Sequence, residues 1–122
     1  ANLERGTGER ILLDEKLVSI EAGSRPNGYD FKYASVLTAA AAVAHGDADA
    51  CIGGERIVHH IRGIAFSPLQ TEDVAFVIAK TEHTERIVSY LRRIMSDVGF
   101  KTEIARIIGY DSSHTGELLY EV

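Results

Sequence analysis

The stretch Asn2-Leu3-Glu4-Arg5-Gly6-Thr7-Gly8-Glu9-Arg10-Ile11-Leu12-Leu13-Asp14 decides the fold class. Ala1 to Glu4 reads as a strand end running into Arg5-Gly6-Thr7-Gly8, a turn that its two glycines allow to be tight. Beyond it, Ile11, Leu12, Leu13, Leu17 and Val18 fall on roughly one face at helical spacing, which predicts a helix over Glu9 to Val18. Strand, glycine turn and helix in succession begin an alternation that continues along the chain. That alternation is the signature of an α/β domain with a mostly parallel sheet flanked by helices.

Further along, Ala22-Gly23-Ser24-Arg25-Pro26-Asn27-Gly28 is the densest cluster of turn formers, so a loop is expected there, with a short strand near Tyr29. The alanine-rich run from Lys32 to Ala44 predicts a second helix, stopped by His45-Gly46. Ala48 to Gly53 reads as a short buried strand and Glu55 to Ile61 as a short helix. Ile64 to Pro68 and Asp73 to Lys80 supply two further expected strands. A helix capped by Thr84 is expected through Asp97, with Ile87, Val88, Leu91, Ile94 and Met95 as its apolar stripe. Gly99 should interrupt it before a last helix from Lys101 to Ile108. Internal repeats and low-complexity tracts are lacking.

Composition narrows the function. At 122 residues, 45% hydrophobic and 25% charged, the sequence has the makeup of one compact domain. Its longest alanine-rich apolar run, Ala34 to Ala44, falls short of the ~18 residues a membrane span needs, so no membrane partner is expected. Thirteen Lys and Arg against eighteen Asp and Glu give a net charge of -5, which argues against direct nucleic-acid binding. The single cysteine, Cys51, cannot close an internal disulfide, and no Cys/His spacing suits structural zinc. The sequence opens without the basic and apolar regions of an export signal, so the expected compartment is the cytoplasm.

The chemistry-bearing residues converge on the first turn. Glycines there let backbone N–H groups aim at one point, and the start of the helix adds partial positive charge, an arrangement that suits an anion. Thr7 offers a hydroxyl, and Arg5 or Arg10 a charge. A bare strand-to-helix turn satisfies the same pattern. The Gly-Lys-Ser/Thr of a nucleoside-triphosphate loop and the third glycine of a dinucleotide fingerprint are both missing. His45, His59, His60, His83 and His114 are scattered, and the adjacent pair points in different directions on a helix, so no metal site is expected. Cys51 reads as a small apolar residue in a buried strand, and Asp47 and Asp49 as part of a solvated turn. Asp111, Ser112, Ser113 and His114 lie too close in sequence for a catalytic triad, whose members come from separate elements.

Four phrases in order resemble one family. Asn2 to Asp14 is similar to the "NRxxGSGTRxLLD" phrase of periplasmic-binding-protein-like domains, with Glu9 where that phrase has its Thr. Ala42 to Gly53 resembles "VAxGxADxGxG", and Ile64 to Leu69 with Asp73 to Ile78 resembles "GLDFIPLxxExYDLVI". Gly109 to Glu117 resembles "GYDxxxTGE". The family is the type-2 periplasmic-binding fold attached to molybdopterin biosynthesis proteins and to molybdate-related or LysR-like regulators.

The resemblance implies recognition of a small ligand, an oxyanion such as molybdate or tungstate or a molybdenum-cofactor-related molecule, in a cleft between two lobes. Residues 1–122 would hold the second lobe, the return strand near Val74 to Ile78, and C-terminal helices, with the first part of lobe one absent. The candidate ligand set is Arg5, Gly6, Thr7, Gly8, Glu9, Arg10, Tyr29 and Ser35, with no catalytic residue. Two other readings stand beside it: a small enzyme of molybdopterin or phosphorylated-substrate metabolism, and an interaction or dimerisation module. Apolar residues of the last two helices, which would meet the first lobe, predict a homodimer.

Overall fold

The computed structural model describes residues 1–21 and 23–119, so Ala22, where the expected loop begins, lies outside the described residues. The chain divides into two compact units, Ala1–Pro68 and Leu69–Val122.

In the first unit, β1 (Asn2–Leu3) pairs in parallel with β2 (Lys32–Tyr33), Asn2 opposite Lys32 and Leu3 opposite Tyr33. Between them runs α1 (Gly8–Ser19), one residue longer at each end than its apolar spacing predicts. Pairing to β1 keeps Lys32 and Tyr33 extended, so α2 spans Val36–His45 and starts four residues later than its alanine content suggests. Gly46 is its C-cap, as expected. Ala39 and Ala40 are fully buried, because side chains this small let α2 lie directly on its neighbours. Leu3, Val36 and Ala39 form the core, with Ala1, Tyr33, Cys51 and Ile57 packed against it. Gly53 closes over Val36 so tightly that a Cβ at position 53 would overlap the Val36 side chain. Buried Asn2 donates to the Tyr29 carbonyl at 3.0 Å and accepts from the Leu3 amide at 2.9 Å, so its amide is satisfied without solvent.

Ala48 to Gly53 is not a strand. Among the described residues its backbone meets β1's neighbour at one point, Ala1 N to Ala50 O at 2.6 Å, and one bond makes no ladder. The helix after it, α3 (Glu55–Val58), ends before the expected Ile61. Ile64 to Pro68 is irregular, and Pro68 brings no N–H to a ladder.

In the second unit, Asp73 to Lys80 also forms no strand: its apolar run has no paired neighbour among the described residues, and Val77 is 98% exposed. The expected α/β class therefore holds, while the described sheet is a two-stranded parallel one. The cap of α4 (Glu82–Ser96) is Thr81, not Thr84. Thr81 Oγ1 accepts from the Thr84 amide at 3.3 Å, and the Thr84 hydroxyl accepts from the Thr81 amide at 3.0 Å, a reciprocal capping box. The break between the last two helices falls at Asp97, whose extended backbone ends α4 and whose carboxylate accepts from the Phe100 amide at 2.9 Å. Gly99 accordingly lies inside α5 (Val98–Ala105), which begins earlier than Lys101. No described residue of this unit is buried. Among the described residues, no helix is long and apolar enough to cross a membrane.

Candidate functional site

The register of the two strands fixes the geometry of the candidate site. In a parallel pair both chains leave the same edge, so the segments after Leu3 and after Tyr33 emerge side by side. Each leads into a helix, α1 after Thr7 and α2 after Ser35. Two helix N-termini thus share the carboxyl edge of the sheet, the position at which open α/β sheets bind ligands. Sequence reasoning found the first of these termini and missed the second, because the alanines from position 34 onward hid where α2 starts.

At the first terminus, Gly6 sits at a φ of +92°, a conformation that a side chain would strain. That turn brings Thr7 back to Glu4: the Thr7 hydroxyl donates to the Glu4 carbonyl at 3.0 Å and accepts from the Arg10 amide at 3.3 Å. Thr7 is therefore the N-cap of α1, and its one proton is engaged within the loop. The amides of Gly8 and Glu9 precede the first intrahelical bond and point out of the helix start. Glu9 lies in this first turn, where its carboxylate faces the positive end of the helix dipole.

The two arginines beside the loop have different fates. Arg5 is exposed. Arg10 is only 3% exposed and is committed to the scaffold: Nη1 donates to the Leu3 carbonyl at 3.2 Å and Nε to Asp14 at 3.2 Å. Its guanidinium also lies 4.1 Å from the centre of the Tyr29 ring, and that of Arg25 lies 4.6 Å from it. Burial alone would lower the Arg10 pKa, but Tyr29 and Asp14 together raise it above its ordinary value. The buried Tyr29 hydroxyl donates to Asp14 at 2.5 Å; this bond, joined by the Arg10 bond and the charges of Arg10 and Arg25, holds the Asp14 carboxyl below the usual carboxylate range against partial desolvation. Tyr29 and Arg10 thus brace β1, α1 and the loop before β2. Asp14 and Arg25, which complete this brace, carry no signal of it in the sequence.

Ser35 stands at the second terminus. Its hydroxyl accepts from the Thr38 amide at 3.2 Å, while its own amide donates to the Thr38 hydroxyl at 3.1 Å. Lys32, the first residue of β2, forms an exposed ion pair at 3.6 Å with Glu4, which follows β1. Elsewhere, half-buried Cys51 has its thiol pKa pushed up by burial, which keeps it protonated and unreactive. In the second unit, His114 pairs with Glu117 at 3.0 Å, while Asp111 accepts from the Ser113 amide at 2.9 Å.

A family model described as a PBP superfamily domain matches residues 1–96, the span that contains both helix termini. The chain belongs to the PBP superfamily. Membership in this periplasmic-binding-protein group points to a ligand-binding role, in agreement with the edge described above. The PBP domain is 37% identical over 114 residues to a protein of Clostridium pasteurianum designated an uncharacterized protein in the ferredoxin 2Fe-2S gene 5′ region, covering 92% of this chain and 100% of that protein. It is 31% identical over 123 residues to the uncharacterized protein YvgK of Bacillus subtilis, covering 98% of this chain and 38% of YvgK. No solved structure matches the chain.

Proposed function

We propose that this PBP domain is a non-enzymatic recognition module for a small oxyanion of the molybdate or tungstate type, or a molybdenum-cofactor-related anion. The observation that carries the reading is the pairing of two helix N-termini at one edge of a parallel sheet. The outward amides of Gly8 and Glu9 and the exposed charge of Arg5 stand beside the first of them. In this reading Thr7, Arg10, Tyr29 and Ser35 shape and brace the cradle, and Gly6 and Gly8 keep its mouth open. The domain corresponds to the second lobe of a type-2 fold, with the rest of the cleft supplied by another lobe. YvgK, of which the match covers 38%, has room for such a lobe. The module would then serve as a sensor or accessory domain, since contacts made only in the closed cleft convert occupancy into a lobe movement.

Thermal unfolding in the presence of molybdate, tungstate, sulfate or phosphate tests this. A ligand present at 100 times its Kd stabilises by about 2.7 kcal/mol, a readily measured shift. Space is open around Gly8, so Gly8→Val should fold while screening the amides and losing the shift. A shift that survives in Gly8→Val, or no shift with any of the four anions, would refute the reading.

A further inference from the structure

The apolar run from Asp73 to Lys80, which lies wholly in the second unit, has the composition of a strand and lacks a strand's partner. The backbone makes no turn or bend from Ile64 to Thr81, and among the described residues no amide or carbonyl from Asp73 to Ile78 is hydrogen-bonded. Val74 is 95% exposed and Phe76 69%, Ala75 and Val77 are exposed beside them, and Ile78 is half-buried. A row of open backbone donors and acceptors between apolar side chains is a template for another strand.

We propose that this segment pairs antiparallel with the same segment of a second copy, about a two-fold axis at Phe76. The occupant is argued from self-complementarity. In that register Phe76 meets Phe76, Val74 meets Ile78, Ala75 meets Val77 and Lys80 falls opposite Glu72, so opposite charges flank an apolar cluster at both ends. Glu72 has only the neutral Gln70 amide as a partner among the described residues, at 3.4 Å. The neighbouring two-fold registers fail. Centred on Val77, the pair sets Lys80 against Val74 and brings Glu72 towards Glu82, the first residue of α4; centred on Ala75, it sets Glu72 and Asp73 against Ile78 and Val77. Because the contact is isologous and formed by one segment, it is built from the second unit alone. The Clostridium relative, covered over 100% of its length, carries no additional lobe to supply such a strand. One strand pair buries less than the ~800 Å2 per partner of a standard interface, so the dimer should dissociate on dilution.

Sedimentation of the full chain from micromolar to millimolar concentration, without anion, provides the test. A monomer–dimer equilibrium is expected. Phe76→Lys sets two like charges on the axis and should raise the dissociation constant at least about tenfold. In a Cys51→Ala background, Phe76→Cys should cross-link into a dimer on mild oxidation, because facing residues of an antiparallel pair lie within disulfide reach. Val77→Cys, which faces Ala75, should cross-link far more slowly. Phe76 and Val77 are exposed, so these variants should fold, which circular dichroism checks. A monomer at every concentration, as pairing with a different protein would leave, a dimer indifferent to Phe76→Lys, growth beyond the dimer, or equal cross-linking of the two cysteine variants would overturn the proposal.

Discussion

Asp14 is the residue on which the first unit's brace depends, since it accepts from both the Tyr29 hydroxyl and Arg10. Its pKa is lowered in the fold, so the folded state binds a proton there less readily than the unfolded chain does. The sign follows: this contribution is complete above the ordinary carboxylate range and is lost as pH falls through the depressed value. The thermal midpoint should therefore drop below about pH 4, and Asp14→Asn should flatten that acid limb while lowering the midpoint at neutral pH. A melting series from neutral to acid pH on both proteins measures this. None of it is legible in the sequence, where Arg10 reads as a ligand-facing charge. The Leu3 carbonyl and the Tyr29 ring that claim its side chain lie 7 and 19 positions away in the chain and come together only when β1 and β2 pair.

At the scale of elements, the helices and the first strand, Asn2–Leu3, were legible, whereas the strands expected at Ala48 to Gly53, Ile64 to Pro68 and Asp73 to Lys80 do not form. Thr7 and Gly46 mark helix ends through bonds to residues within four positions, which a sequence window contains. Ala48 to Gly53 and Asp73 to Lys80 have the composition of strands, but a strand exists only with a paired neighbour, and composition cannot supply one. The start of α2 was misplaced for a similar reason: alanine favours a helix locally, and the ladder to β1 overrides it at Lys32 and Tyr33. Ser35→Ala removes the side-chain acceptor of the α2 capping box and should cost about 1 kcal/mol. Denaturant unfolding should show it as a lower midpoint at unchanged slope. Because Ser35 borders the proposed anion edge, the same variant read by anion-dependent melting separates a capping role from a contact.

For the whole molecule, charge is the property that the sequence settles most directly. With a net charge of -5, this PBP domain should show no salt-sensitive retention on duplex DNA at physiological ionic strength. Retention that falls with rising salt would contradict this. The candidate site was legible only as far as the first helix terminus, because the sheet register that sets the second beside it is a property of the folded chain. The family was legible for a different reason: four short phrases keep their order along the sequence, and the matched span of 1–96 covers the first three whole.

The packing of Arg10 and Arg25 on the Tyr29 ring, joined to the bond from its hydroxyl to Asp14, has an optical consequence. The chain contains five tyrosines and no tryptophan, so its ultraviolet emission comes from tyrosine alone. A phenol that donates to a carboxylate loses excited-state energy through that bond, so Tyr29 is expected to emit weakly in the native protein. Release of the Asp14 contact should raise the tyrosine emission, a label-free signal that β1, α1 and the loop before β2 have come apart.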